Sequence, residues 1–512
     1  MADTHGNALP LHRAVIVIGA GTMGGGIAEV AATAGHRVLL RDADADSLAR
    51  GIARIHAGLD KRVARGKLDA ATRDAIVSRI HADDGSAGTA DVGLVIEAIV
   101  ENLDTKVAAL TPYAESLPAD AILATNTSSL SVTALAARLP HPTRVAGLHF
   151  FNPATVLPLV EVVAGPATAP AVVDTLVATA RAWKKSPVVC RSTPGFIVNR
   201  IARPFYGETL RLLQECAATP ATLDAVLRES GGFRMGPCEL MDLIGHDVNF
   251  AVTCSVYDAF FQDPRYRPSL VQQSLVDAGW LGRKSGRGFF DYREAADAPR
   301  PDDATGTRPS QVRIEGDLGA AQALVALLDG RDGIAVTRGD GPGLLRVDGL
   351  ALALTDGRTA TTRSLEAGEP VAVFDLALDY AAATRIALAF PTHVDTRARD
   401  AAVGLFEALG KRVSVLDDAP GLVVARTVAM LVNEAADGLQ QGLASADDID
   451  AAMTRGVNYP LGPLAWARKD GLPYFAAVLT HLAAAYGEDR YRVSPWLRRE
   501  VQAQHIGTRA HG

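Results

Sequence analysis

AVIVIGAGTMG, residues 14–24, decides how the chain begins to fold. Its first part, AVIVIG at 14–19, is a short β-branched run ending in glycine, the pattern of a buried parallel strand. Helical spacing follows through Met23–Ala34, and RVLLRD at 37–42 reads as a second strand, which makes a βαβ unit. GAGTMG, Gly19–Gly24, fits GxGxxG at the strand-to-helix turn. Gly19 permits the turn, Gly21 lets a pyrophosphate approach the backbone, and Gly24 lets helix and strand pack closely. Thr22 and Met23 complete the phosphate-binding turn, where the helix N-terminus carries partial positive charge. Asp42 ends the second strand at the place of an acid that binds a ribose diol. A carboxylate there repels a 2′-phosphate and favours NAD over NADP, although Arg41 stands beside it.

Further apolar runs at Val92–Ile99, Ile122–Thr125 and Val145–His149 alternate with helical stretches at 105–115 and 129–138. This alternation predicts a parallel, Rossmann-like doubly wound sheet over residues 14–192. From Gly195 the pattern turns helical, at 196–216, 221–230 and 249–262, and predicts an all-α domain over 193–293. EAADAPRPDDATGTRPS at 294–310 lacks apolar periodicity and marks a linker, 294–311. Beyond it VRIEG (312–316), a helical stretch at 318–328 and IAVTR (334–338) look like another β-α-β start. VAVFDLAL (371–378), RIALAF (385–390) and KRVSVL (411–416) read as more strands, the first two separated from the last by a helix at 396–409. The expected order is therefore a degenerate Rossmann-like domain at 312–418 and a second helical domain at 419–505. Its turn EGDLGA, 315–320, lacks the glycine motif, so one dinucleotide per chain is expected.

A register test supports duplication. A shift of 226 residues aligns 194–237 with 420–463 without a gap, and twelve of the 44 positions are identical, from PGFIVNR against PGLVVAR to Gly236-Pro237 against Gly462-Pro463. Asn199 becomes Ala425 across the repeat.

Composition narrows the function classes. The 512 residues carry 48% hydrophobic and 21% charged side chains, with a net charge of −7 spread along the chain. No basic face for nucleic acid stands out, no window has the ~18 apolar residues of a membrane span, and the start MADTHGNALPLHR reads as a loose polar tail. Cys190, Cys216, Cys238 and Cys254 lack metal spacing, and buried thiols in a reducing cytoplasm are expected. Lys61, Arg62, Arg65 and Lys67 form a basic cluster, read as a solvated helix face or a place for an anionic ligand.

The polar residues inside apolar strands carry the chemistry. AGLHFFNP, 146–153, ends a strand with His149; ATNTSSL, 124–130, puts a polar cluster at another strand end. LVEVV, 159–163, buries the acid Glu161, and IVNR places Asn199 in an apolar helix start. Strand C-termini are where ligands bind in open α/β sheets, and an acid beside an imidazole fixes one tautomer of a general base.

GAGTMG, EAIVEN…K (97–106), NTSSL, HFFNP, LVEVV, TPGFIVNR, GPCEL and GRKSGRGFFDY (282–292) occur in this order, and together they resemble the L-3-hydroxyacyl-CoA dehydrogenase family over residues 14–295. The resemblance implies NAD-dependent oxidation of a 3-hydroxyacyl-CoA to the 3-oxoacyl-CoA. By position, His149 matches the family's general base, Glu161 its orienting acid, and Ser128 and Asn199 the groups that hold the substrate oxygen. Glu101, Lys106, Asn152 and Lys284 match positions that contact nicotinamide cofactor or substrate, and the 61–67 helix lies where the family meets CoA phosphates. The two-unit, stand-alone form is similar to bacterial 3-hydroxyadipyl-CoA dehydrogenases of phenylacetate degradation, with 3-hydroxybutyryl-CoA dehydrogenases as the alternative. A non-enzymatic NAD-binding protein on the same fold would be expected to have lost His149 or Glu161. The family pairs through its helical domains, so the second half is expected to dock on the first as an internal pseudo-dimer, open to further self-association, in the cytoplasm.

Overall fold

The computed structural model describes residues 8–83, 88–294, 297 and 299–510. The chain divides into two units, one of residues 1–200 with 441–457, the other of residues 201–440 with 458–512.

In the first unit, β1 (Ala14–Ile18), β2 (Val38–Arg41), β3 (Ile80–Ala82), β4 (Val92–Glu97), β5 (Ile122–Thr125), β6 (Val145–Phe150), β7 (Leu159–Ala164) and β8 (Ser186–Arg191) form one sheet. Their order is β3-β2-β1-β4-β5-β6-β7-β8. The apolar runs AVIVI, VGLVIE and VAGLHF are buried, because helices cover both faces of a parallel sheet. The expectation of a wholly parallel sheet fails at one place: β7 runs antiparallel to β6. Residues 151–158 are too few for a crossover, which takes a dozen or more residues, so the chain turns straight back. The start of the chain is also less loose than its sequence suggests. Residues 1–7 lie outside the described residues, but Leu9 is buried with its N–H on Thr179 Oγ1 at 2.9 Å, and Arg13 pairs with Asp120 at 2.6 Å.

The helix Ala446–Gly456 of the second half also belongs to this unit, packed on β7 and β8. A Cβ on Gly456 would lie 2.4 Å from Leu159 Cδ2, so glycine lets the helix close onto the strand.

In the second unit, β9 (Gln311–Glu315), β10 (Ala335–Gly339), β11 (Leu344–Val347), β12 (Leu350–Leu354), β13 (Val371–Phe374), β14 (Arg385–Ala389) and β15 (Arg412–Val415) form a sheet in the order β10-β9-β11-β12-β13-β14-β15. β9 and β10 are parallel, as are β12 with β13 and β14 with β15. The hairpin β11–β12 makes the sheet mixed, a departure from a simple repeat of the first. VAVFDLAL forms a strand as far as Phe374; the Asp375 N–H still bonds Ala387 O, and its carboxylate accepts from the N–H groups of Val423, Val424 and Ala425. Where the first sheet has its glycine turn, β9 is followed by a 3-10 turn at Gly319–Ala321, and Glu315 is paired with Arg346 at 2.7 Å.

The described part of the linker is pinned to this sheet: Ala304 bridges Val413, and Asp303 meets Arg385. Residues 295, 296 and 298 of it lie outside the described residues. The cysteines are unpaired; Cys190 and Cys238 are buried as expected, whereas Cys216 is exposed and Cys254 half-buried.

Helices Arg203–Gln214 and Val424–Gln440, equivalent in the repeat, pack against each other within this unit. Their contact is reciprocal. Glu208 accepts from Arg490, Arg426 and Tyr491, while Glu434 accepts from Tyr266 and lies 3.4 Å from Arg265. Arg265-Tyr266 and Arg490-Tyr491 are the same dipeptide at a shift of 225, one residue off the main register. Each half lends an Arg-Tyr pair to the other's buried glutamate, the self-complementary pattern of a two-fold contact. Among the described residues no helix is long and apolar enough to cross a membrane.

Candidate active site

The antiparallel return of β7 builds the centre of the site. His149 and Glu161 are direct partners across β6 and β7, and His149 Nδ1 lies 2.6 Å from Glu161 Oε2. Glu161 is fully buried, and its other oxygen accepts from the N–H groups of Ile197 and Val198, both at 3.0 Å. Those donors belong to PGFIVNR, so the start of the helix after β8 locks the carboxylate, and the carboxylate locks the imidazole. Phe151 and Phe196 wall the ring, with centroids at 4.5 and 5.8 Å. With Nδ1 committed, Nε2 is the nitrogen left for chemistry.

Asn199 and Ser128 also come together, with Asn199 Nδ2 3.5 Å from the Ser128 carbonyl oxygen. The Ser128 loop is held by Glu101, whose Oε1 accepts from the N–H groups of Ser128 and Ser129 and from the hydroxyls of Thr127 and Ser129. Burial opposes ionisation of Glu101, but the Thr127 hydroxyl and the charge of Lys106 outweigh it and hold the carboxyl below its usual range. Lys106 is 1% exposed, with its ammonium on Glu97 at 2.6 Å and Glu101 at 3.2 Å, so it supports the loop through Glu101. Glu97 is tied in turn to Thr125 and the Ile99 N–H. Asn152 is exposed in the turn after β6.

The glycine turn suits a dinucleotide. A Cβ on Gly24 would stand 1.8 Å from Gly19 O, and one on Gly19 would stand 2.5 Å from Ala98 O, so neither position admits a side chain. A Cβ on Gly21 would meet nothing within 4 Å, which leaves open space at the N-terminus of helix Thr22–Thr33, a helix with no side-chain cap. Thr22 and Met23 form its first turn. Asp42 Oδ2 accepts from the Ala20 N–H at 2.8 Å and so faces the same turn. Arg41 gives its guanidinium to Asp83 and the Tyr113 hydroxyl, which removes it as a partner for a 2′-phosphate. Of the basic cluster, Arg62 is spent on Glu29 at 2.9 Å, while Lys61, Arg65 and Lys67 are exposed.

Lys284 belongs to the other unit, where it pairs with Asp247. The two motifs around it meet at the buried Asp242, which accepts from Phe289 N, Phe290 N and the Tyr292 hydroxyl. GPCELMDLIG and GRKSGRGFFDY are therefore joined by a structural carboxylate, a role that composition alone did not reveal.

The second half keeps the frame without the dyad. Asp375 N–H bonds Ala387 O, so at the place of His149 and Glu161 stand Asp375 and Ala387. Asp375 takes over the capping that Glu161 performs in the first half, and Ala425 stands at the place of Asn199. Burial lifts the Asp375 carboxyl to about 6 against the backbone donors that hold it.

Comparison with known proteins matches residues 14–193 to the model for the 3-hydroxyacyl-CoA dehydrogenase NAD-binding domain. Residues 195–292 and 421–512 both match its C-terminal domain. Residues 352–420 match a 3-hydroxybutyryl-CoA dehydrogenase reduced Rossmann-fold domain. The chain is 46% identical to the 3-hydroxyadipyl-CoA dehydrogenase of Escherichia coli K12 over 95% of this chain and 97% of that one. It is 39% identical to a probable 3-hydroxybutyryl-CoA dehydrogenase of Deinococcus radiodurans over 54% of this chain and 99% of the relative. A crystal structure of 3-hydroxybutyryl-CoA dehydrogenase from Escherichia coli K12 superposes with a TM-score of 0.87 at 44% identity, covering 97% of this chain and 99% of that one.

Proposed function

The chain belongs to the 3-hydroxyacyl-CoA dehydrogenase family, and from that premise we propose that its first half oxidises an L-3-hydroxyacyl-CoA to the 3-oxoacyl-CoA with NAD. The observation that carries the reading is the buried Glu161–His149 pair, its carboxylate held by the backbone N–H groups of Ile197 and Val198. When bound at the Gly19–Gly24 turn and Asp42, NAD supplies the hydride acceptor. His149 Nε2 takes the proton of the 3-hydroxyl as C3 becomes a carbonyl. Glu161 stabilises the imidazolium that results and keeps the ring from turning. Asn199 and Ser128 hold the oxygen on which charge changes, on a loop that Glu101 and Lys106 keep in place. The reverse reaction returns the proton from His149 to the carbonyl oxygen.

A 3-hydroxyadipyl chain is the proposed substrate, because the relative that bears that name matches this chain through both halves. A 3-hydroxybutyryl chain is the second reading, favoured by the structural match of the same extent. The second half is read as the internal counterpart of a second subunit, supported by the reciprocal Glu208 and Glu434 contacts and by the loss of the dyad at Asp375 and Ala387. One NAD per chain follows from Glu315 and the 3-10 turn after β9.

The test follows NADH consumption with 3-oxoadipyl-CoA and acetoacetyl-CoA side by side. Turnover of both with a higher kcat/KM for the adipyl substrate is expected. A higher value for acetoacetyl-CoA transfers the assignment to the butyryl substrate, and no turnover of either despite NADH binding refutes the dehydrogenase reading.

A further inference from the structure

A cavity of 420 Å³ in the second unit lies within the size range of small-molecule pockets, about 300–1,000 Å³. Arg203, Arg211, Arg265, Arg267 and Arg490 line it, with Tyr206 and Leu210 as apolar wall. Arg267 is exposed to solvent, and three of the other four are already neutralised. Arg211 makes two bonds to Glu488, Arg490 holds Glu208, and Arg265 holds Asp437 and Asp263.

Arg203 differs. It is 6% exposed, its Nη1 donates to Thr253 Oγ1 at 3.1 Å, and its guanidinium stacks on the Tyr206 ring at 4.9 Å. Its Nε is buried without a hydrogen-bond partner, and among the described residues no carboxylate forms an ion pair with it. A buried guanidinium without an anion is costly, since desolvation is not offset by attraction. Packing does not require the charge. The repeat places Ala429 at the equivalent position of Val424–Gln440, and that helix is buried along nearly its whole length.

We propose that this cavity binds a short carboxylate-bearing ligand, with the carboxylate on Arg203 and the methylene chain against Tyr206 and Leu210. Guanidinium and carboxylate match in a planar, bidentate pair, and the apolar wall suits a chain of a few carbons. A free short dicarboxylate has this chemistry, and its binding does not rest on the dehydrogenase reading above.

The test uses the full chain, Arg203→Met and Arg203→Lys, with adipate as probe in calorimetry and with acetoacetyl-CoA and 3-oxoadipyl-CoA as substrates. Adipate is expected to bind the wild type and to bind Arg203→Met at least about ten-fold more weakly, the worth of a charge-assisted pair, with Arg203→Lys between them. Acetoacetyl-CoA kinetics are expected to be unchanged in both variants, which also shows that they fold. Adipate binding lost in Arg203→Met with both KM values unchanged is the result that supports the proposal. The proposal is overturned if adipate does not bind the wild type, or if its binding is undiminished in Arg203→Met. Equal losses with both acyl-CoAs in both variants also overturn it. Absence of turnover in the wild type refutes the dehydrogenase reading and leaves the calorimetric result to decide this one.

Discussion

Glu208→Gln tests the internal seam of the second unit. The carboxylate is fully buried and accepts from Arg490 at 2.6 and 3.0 Å, from Arg426 at 2.8 Å and from the Tyr491 hydroxyl at 2.9 Å. Burial alone would raise its pKa, but the charges of Arg490 and Arg426 prevail and lower the carboxyl to about 2. The fall from 4.5 to about 2 corresponds to about 3 kcal/mol, in line with the roughly 3–5 kcal/mol for breaking one partner of a buried ion pair. The amide leaves Arg426 its contacts to Glu215 and Tyr486, but Arg490 keeps only the carbonyls of Pro264 and Arg265. A depressed carboxyl stabilises the fold above its unfolded value, and that stability is lost as pH falls through the folded one. The difference between wild type and variant should be about 3 kcal/mol from pH 6 to 8 and should shrink from about pH 4.5 towards pH 2. Urea unfolding followed by far-ultraviolet circular dichroism at pH 7 and at pH 3 measures it. A loss below about 1 kcal/mol at pH 7, or an equal loss at both pH values, would refute the reasoning.

Asn199→Ala should cut turnover with acetoacetyl-CoA by about 10²-fold, the worth of one donor to a developing charge, whereas Ala425→Asn should leave kcat unchanged. Because Ala425 is fully buried, the second change should instead lower stability by about 1–3 kcal/mol, read from the urea midpoint; a fall in kcat would contradict the division between the halves. Asp375, lifted to about 6 by burial, contributes stability that is complete below its unfolded value and lost as pH rises through the folded one. Wild type should therefore lose stability relative to Asp375→Asn between about pH 4 and 6, and a pH-independent difference would show that the carboxyl is not perturbed.

The first βαβ unit and the pairing of His149 with Glu161 were legible in the sequence because short apolar strands admit few polar residues, and those few have to be partnered. The direction of β7 was not, since an apolar run reads the same parallel or antiparallel; only the brevity of residues 151–158 signals the return. The hairpin β11–β12 was hidden for the same reason, its residues too apolar to alternate. The burial of Lys106 among Glu97, Glu101 and the Ile99 carbonyl was not legible either, because it is a property of the fold. The Arg265-Tyr266 and Arg490-Tyr491 repeat escaped a gapless register by one residue, and its meaning rests on two glutamates far away in sequence. The placement of Ala446–Gly456 on β7 and β8 had one sequence trace, the glycine at 456, which alone does not say what approaches it.

His149→Gln, assayed for NADH consumption with acetoacetyl-CoA and 3-oxoadipyl-CoA alongside an equilibrium titration of NADH, tests the central claim most directly. Loss of the proton acceptor at Nε2 should lower kcat about 10²- to 10⁴-fold with both substrates, with NADH affinity unchanged and one site per chain. Turnover near the wild-type rate would contradict the assignment of the chemistry to the His149–Glu161 pair.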